Sequence, residues 1–462
     1  MISATFRRAR SQHARVAIIN QGLAILNRLS LQNVGPAAHL DIFFSPRVNL
    51  ITGDNGLGKS FLLDIAWWSL TRTWAHYPAR PESGGAAKPT ISFAFDTERK
   101  KEISYASHFE WQNQAWDNKP GRPPSPGMVL YAQVDGGFSV WDPARNYWKR
   151  MTAKGVDAPD RPQAYLFSPA EVWDGLARPD PKDASRTEVL CNGLIRDWAS
   201  WQKEKGSAYK QLCRVLEQLS PSQSELLAPG ELTRISLDDV RDMPTLKTGY
   251  GKEVAIVHAS AAVRRIVALA YLLVWTWQEH ARASKLLNQE TTRQIIFLID
   301  EVEAHLHPTW QRRILRSLMD VMTALTDMEK VDVQVIAVTH SPMLLASMEP
   351  VFDPAKDTLW MFDLAGTGRT REVRLMRDDW HRRGDASAWL QSEVFDLKEA
   401  RSEEAEKAIA EARDLMLRDV PDRDAFLRIY DSLRRSMPGV DPFWVDWRAW
   451  GWRHGLLDEK KP

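Results

Sequence analysis

The segment Gly53-Asp54-Asn55-Gly56-Leu57-Gly58-Lys59-Ser60 satisfies G-x-x-x-x-G-K-[ST] without a gap, and it constrains the chain more than any other feature. The apolar run Val48–Thr52 leads straight into it, and Phe61–Trp74 follows with a helical apolar face. Glycines let successive backbone N–H groups turn inward around a phosphate, where a Cβ would obstruct. Lys59 then supplies a point charge to the β- and γ-phosphates, Ser60 a hydroxyl ligand for Mg²⁺, and the helix N-terminus a favourable field. Gly53, Asp54, Asn55, Gly56, Leu57, Gly58, Lys59 and Ser60 are therefore the candidate ATP-binding residues. The competing reading, a chance glycine-rich turn, leaves the flanking strand and helix unexplained.

A second apolar run, Ile295–Ile299, ends in adjacent carboxylates, Asp300 and Glu301. A buried strand would carry Asp300 to the carboxyl edge of a sheet, where it holds Mg²⁺, and would make Glu301 the general base for an attacking water. By itself the pair is a solvated acidic turn; beside a phosphate loop the functional reading prevails. Glu303 is a further carboxylate of this turn. His305 and His307 lack a nearby Cys or His in sequence, which favours a place near the nucleotide or at a dimer contact over zinc. Val335–Val338 is a third buried run, and His340 just beyond it is placed to bond a γ-phosphate and orient water.

The remainder sets the frame. With a net charge of +1, the molecule has no long-range field toward nucleic acid, so any such contact needs a local patch. Residues 1–40 hold five arginines and no Asp or Glu, the one stretch that reads as a basic arm. Cys191 and Cys213 are too few for a disulfide framework and read as packing residues in a reducing compartment. The longest apolar run, Val267–Trp275, is about half a membrane span, so a cytoplasmic protein is expected. Strands are expected at Ile25–Leu29, Asp41–Phe44, Ile91–Phe95, Ile103–Trp111, Met128–Val134 and Phe138–Trp141, the last two joined by the turn Asp135-Gly136-Gly137. Helices are expected over 184–227, Ala261–Glu279, Pro308–Leu325 and much of Glu393–Leu433, and the chain ends Trp-rich. Domain boundaries follow: a basic arm 1–24, a lobe 25–180 with the phosphate loop, a helical insertion 181–250, a second lobe 251–390 and a helical end 391–462.

This order of parts resembles the ABC-type ATPases of the RecF, SMC and OLD group, and Asp300-Glu301-Val302-Glu303-Ala304-His305-Leu306-His307-Pro308 is similar to the D-E-P-E-x-H-L-H-P stretch of stand-alone bacterial ATPases, among them OLD-like and Septu-type antiphage proteins. The resemblance spans residues 25 to about 345 with gaps. It implies an α/β P-loop fold with a mostly parallel sheet, an antiparallel β subdomain and a helical insertion. It also implies a homodimer or higher oligomer, with a signature segment of one protomer over the nucleotide of the other. Ala259–Arg265 is the matching segment: Ser260 stands at the family serine, and Ala262 replaces the usual glycine, a departure that points to slow turnover or a different closure. The competing reading makes Ser260 a plain helix N-cap. The family glutamine that links Mg²⁺ to a mobile subdomain falls at Gln133, which also reads as an ordinary strand end. The nuclease domain of OLD proteins has no counterpart here, since Asp378-Asp379 lacks a strand-plus-glutamate context.

The expected function is a Mg²⁺-dependent ATPase with Lys59, Glu301 and His340 at the reaction and Ser60, Asp300 and Gln133 at the metal. It would control a separate effector protein, a nuclease being one candidate, in antiphage defence. A RecF-like repair ATPase binding DNA in an ATP-dependent way is the alternative. A transporter motor fits poorly with the long insertion between residues 60 and 260, and a non-hydrolysing switch stays open because of Ala262.

Overall fold

The computed structural model describes residues 24–457 apart from 82–87, 98–101, 118–123, 147–149, 153–154, 158–161, 181–182, 184, 250, 327–330, 367–370 and 419–421. The expected basic arm thus lies outside the described residues except for Ala24.

In chain order, β1 (Ala24–Gln32) and β2 (His39–Phe43) form a hairpin about Gly35–Pro36, and β3 (Val48–Gly53) runs into the glycine loop and α1 (Lys59–Thr71). Next come β4 (Thr90–Thr97), β5 (Glu102–Glu110) and β6 (Ala115–Trp116), which with β1 and β2 build a five-stranded antiparallel sheet, order β2-β1-β4-β5-β6. β7 (Met128–Ala132) and β8 (Phe138–Trp141) make the second predicted hairpin, and β9 (Arg150–Thr152), β10 (Gly155–Asp157) and β11 (Tyr165–Phe167) follow.

Between the lobes, residues 169–255 hold α2 (Pro169–Asp174), β12 (Leu176–Pro179), β13 (Thr187–Cys191), α3 (Leu194–Glu204), α4 (Ser207–Gln218), β14 (Ala228–Pro229), β15 (Thr245–Lys247) and β16 (Glu253–Ala255). The helical reading of 184–227 is corrected. Thr187–Cys191 pairs with Leu176–Pro179, and Gly193 at φ 87 turns the chain before α3 begins. A small three-stranded sheet, β14-β15-β16, precedes α5.

The second lobe contains α5 (Ala261–Leu286), β17 (Gln294–Asp300), α6 (Pro308–Gln311), α7 (Ile314–Thr326), β18 (Asp332–Val338), α8 (Pro342–Met348), β19 (Asp357–Ala365) and β20 (Glu372–Asp378). The helix expected over Pro308–Leu325 is interrupted between α6 and α7. The chain continues through α9 (Ala386–Leu390), α10 (Glu403–Met416), α11 (Arg423–Ser436) and α12 (Phe443–Arg453). Residues 393–402, expected to be helical, are instead an irregular segment, part of which is fixed by ion pairs from Arg401 to Glu399 and Asp441.

The central sheet has eight strands, order β11-β8-β7-β17-β18-β3-β19-β20. β7, β17, β18, β3 and β19 run parallel, β8 and β20 run opposite to them, and the edge strand β11 pairs antiparallel with β8. Both faces are covered, so successive residues of one strand enter different cores. Ile295, Phe297 and Ile299 pack with the helices of the insertion and α5, whereas Ile296 and Leu298 pack with α1 and the antiparallel sheet. Each such side chain contributes about 1.5–3 kcal/mol when fully buried, which is why an unbroken apolar run is tolerated there. A third core belongs to α10–α12, where Trp444, Trp447 and Trp450 are buried and Trp447 stacks on Phe426 at 4.7 Å. Among the described residues no helix is long and apolar enough to cross a membrane.

Candidate nucleotide site

The central strands β3, β17, β18 and β7 deliver their carboxyl ends to one edge, and the candidate residues lie there. β3 stops at Gly53, whose φ of 128 and close approach to Phe362 exclude a side chain, because a Cβ would stand 2.2 Å from the Phe362 carbonyl oxygen. Gly58, at φ 95, precedes α1 and lies so near Pro36 that a Cβ would meet its ring at 2.6 Å. Among the described residues no side chain caps α1 and its first turn holds no acid, so its N–H groups face the loop, the arrangement that suits a phosphate. Asp54, Asn55, Gly56 and Ser60 are exposed, and Leu57 anchors the loop in the core.

Lys59 is buried, its ammonium donating to the carbonyls of Gly53 (2.9 Å) and Asp54 (2.6 Å). Burial lowers its pKa against the opposing charges of Glu301 and Asp300, which places the loop and the acidic strand in one electrostatic site. Asp300, at the end of β17, is 2% exposed. Burial pushes its carboxyl up to about 6 despite a hydrogen bond from Ser60, and its Oδ1 is buried without a hydrogen-bond partner among the described residues. An orphaned, costly carboxylate oxygen beside a serine hydroxyl and a phosphate loop is the donor set a hard divalent cation takes.

Glu301 turns the chain with φ 48, a left-handed conformation that is uncommon for a residue with a side chain. Its N–H donates to the Val338 carbonyl (3.1 Å), and its Oε1 lies 3.3 Å from His340 Nε2. Burial and the charge of Lys59 lower the pKa of His340, which favours a neutral imidazole near pH 7. Glu303 braces the histidine: its Oε1 accepts from Thr339 Oγ1 and from the His340 N–H (3.0 Å), and burial raises its own pKa. His307 caps α6 by accepting from the Thr309 N–H, and His305, at φ 66, is exposed on the same turn.

The structure brings Lys59, Ser60, Asp300, Glu301 and His340 together and treats the other candidates differently. Gln133 ends up beside the same edge, one residue beyond β7, buried, with its Nε2 donating to Ser139 Oγ (2.9 Å). Ser260 is exposed and caps α5 through a bond from the Val263 N–H (3.3 Å), while Ala262 packs against the core. Asp378 does end a strand, against expectation, but the antiparallel β20 carries it to the opposite edge of the sheet. Arg265 entered the sequence reading only as the end of the segment Ala259–Arg265, without its contacts to the sheet. Its guanidinium donates to the carbonyls of Val134 (2.6 Å), Gln133 (3.4 Å), Asp300 (3.4 Å) and Glu301 (2.9 Å), tying the first turns of α5 to the ends of β7 and β17. Only its place at the head of an apolar helix hinted at this.

Two family models match the chain: one described as AAA domain, putative AbiEii toxin, Type IV TA system over residues 156–346, and one described as AAA domain over residues 28–145. A retron Vc95 probable ATPase from Vibrio cholerae serotype O1 biovar El Tor is 27% identical over 141 residues, which are 30% of this chain and 24% of that protein. The chain thus matches about a quarter of the length of this relative. Among solved structures, the SMC head domain from Thermotoga maritima is 14% identical with a TM-score of 0.35, covering 77% of this chain and 99% of that one. An SMC head with an extended coiled coil bound to the C-terminal domain of ScpA, derived from Pyrococcus furiosus, is 12% identical with a TM-score of 0.36, covering 77% and 96%. The strand order and the loop–acid–histidine edge, together with the two matching AAA-domain models, show a P-loop ATPase fold.

Proposed function

We propose that the chain binds ATP with Mg²⁺ and hydrolyses it by in-line attack of water on the γ-phosphate. The observation that carries this reading is the buried, unpartnered Asp300 Oδ1 beside Ser60 and the charge of Lys59. The loop 53–60 holds the phosphates and Lys59 neutralises the β- and γ-oxygens. Ser60 and Asp300 would hold the cation, with Gln133 on the same side, and Mg²⁺ bound there would supply neutralisation of the charge that develops on the phosphates. Glu301 accepts the proton of the attacking water, and the neutral His340, 3.3 Å from it, orients that water toward the γ-phosphate. Arg265 keeps the strand ends in register with α5.

In this reading two copies close around ATP, with Ala259–Arg265 of one over the nucleotide of the other, and the closed dimer controls a separate effector protein in antiphage defence. The exposed Ser260 and the likeness to a retron's probable ATPase support it. The experiment is sedimentation with and without MgATP using Glu301→Gln to hold the closed form. ATP-dependent dimerisation that Lys59→Ala abolishes is expected, and a monomer at every ATP concentration refutes the sandwich. Purification from the native host is expected to bring down the effector, and phage plating unaffected by the chain with its neighbouring genes argues against defence.

A further inference from the structure

Beside the candidate nucleotide site lies a cavity of about 480 Å³, a size within the range of small-molecule sites. Its walls come from the turn after β7, the short helix α2, the first turns of α5 and the turn after β17. Small residues hollow it out: Ala132, Gly136, Ala261 and Ala268 stand where larger side chains would fill the space, and a Cβ on Gly136 would meet nothing within 4 Å.

The lining has two characters. Phe138, Leu269 and Leu272 are buried there, and the partly buried Trp173 packs against the same core. Trp173 and Arg264 also bring donors: among the described residues neither the indole N–H nor the exposed guanidinium has a hydrogen-bond or ion-pair partner. Arg265 adds a second positive charge, although its own N–H groups are taken by the four backbone carbonyls named above. Against these charges Asp135 is the one carboxylate of the lining, and its Oδ1 accepts from the Gly137 N–H (2.8 Å). An inorganic anion would leave the aromatic and leucine wall unused, and a neutral apolar molecule would leave the donors unused. Apolar surface, unspent donors and a positive balance together suit an apolar body with an anionic head.

We propose that this cavity is a binding site for a small amphipathic anion, an aromatic or branched apolar body bearing one carboxylate, sulfonate or phosphate group. Arg264 pairs with the anion, and Trp173 and Leu269 flank the body. The site goes beyond the ATPase reading and does not depend on it. A ligand there lies against Arg265, the residue that ties α5 to the carbonyls of Asp300 and Glu301.

The test is fluorescence titration of the full chain, without nucleotide, with anilinonaphthalene sulfonate and with phenylnaphthylamine, which has the same rings and no sulfonate. One sulfonate dye per chain is expected. Arg264→Ala is expected to weaken it roughly tenfold, the scale of one hydrogen bond to a charged group, and to leave the uncharged dye unaffected. Arg264→Lys is expected to restore most of the loss, and Ala268→Phe, whose ring occupies the cavity, to exclude both dyes. Lys59→Ala is expected to bind the sulfonate dye as wild type does. Equal weakening of the two dyes by Arg264→Ala overturns the inference, as does sulfonate binding that neither Arg264→Ala nor Ala268→Phe changes. Loss of the dye in Lys59→Ala also overturns it, by placing the sulfonate on the phosphate loop. Arg264 is exposed, so the two-dye comparison stands on its own where Ala268→Phe does not fold. Whether the chain binds ATP is read separately by calorimetry, and failure there leaves the dye result as it is.

Discussion

Two buried aspartates at opposite edges of the same sheet show what distinguishes a structural carboxylate from one held ready for a ligand. Asp142, just past β8, is wholly buried, accepts from the Ala144 N–H (2.8 Å) and Arg145 Nε (2.7 Å), and faces His280 Nδ1 at 2.7 Å. His280 Nε2 in turn accepts from the Thr292 N–H (2.9 Å), so the ring proton sits on Nδ1 and points at the aspartate. Burial alone would raise the carboxyl, but the hydrogen bond from His280 and the charge and hydrogen bond of Arg145 outweigh it and hold its pKa below the usual value. Asp300 is nearly as inaccessible, yet one oxygen lacks a partner among the described residues and its pKa rises to about 6. The fold has spent hydrogen bonds on the first and withheld them from the second. An Asp–His pair resembles catalytic machinery, but a ring capped at both nitrogens by the protein has no proton to exchange.

The comparison can be broken at several points. The largest effect is expected at the Asp300 edge without loss of fold: Glu301→Gln lowers kcat by about 10²–10⁴-fold while ATP still binds. A wild-type rate of phosphate release from this variant removes Glu301 as the base. Next, the two aspartates are expected to respond to amidation with opposite signs. Asp142→Asn leaves Arg145 short of a charged partner and costs about 3–5 kcal/mol in urea unfolding. Asp300→Asn removes a carboxylate that the fold holds charged only at a cost, and stabilises the protein at pH 7 by about 1–3 kcal/mol. Because the pKa of Asp142 is depressed in the folded state, its contribution is present above the ordinary carboxylate range and is lost as pH falls through the lowered value. Equal destabilisation by both changes would erase the distinction. The smallest effect is Ser260→Ala, about 1 kcal/mol from loss of the α5 cap, read from the same urea curves; its loss of ATP-driven dimerisation sharpens the question of whether the serine does more than cap.

How much of this was legible in the sequence follows from how local each feature is. The phosphate loop, the acidic strand and His340 each combine a short apolar run with polar residues directly after it, so contiguous residues encode both the strand and the site. Lys59 and Asp300 could be placed near each other because central strands of a covered sheet present their carboxyl ends together. The Asp142–His280–Thr292 chain and the Arg265 contacts join residues far apart in sequence, and no periodicity announces them. Misread elements have local causes as well. Thr187–Cys191 is a short strand ahead of a helical stretch, and its Leu-containing run blended into the helix pattern. β19, which pairs with β3 and supplies the Phe362 carbonyl against Gly53, was not foreseen as a neighbour of the phosphate loop, because parallel pairing follows from topology and not from any motif.

The most direct measurement is ATP affinity by calorimetry for wild type and Asp300→Asn, each with Mg²⁺ and with EDTA. A single nucleotide–magnesium site shared by the loop and the acidic strand predicts tighter binding with Mg²⁺ in the wild type, loss of that gain in Asp300→Asn, and equal affinity of the two proteins in EDTA. An Asp300→Asn protein that keeps the full Mg²⁺-dependent gain would contradict it.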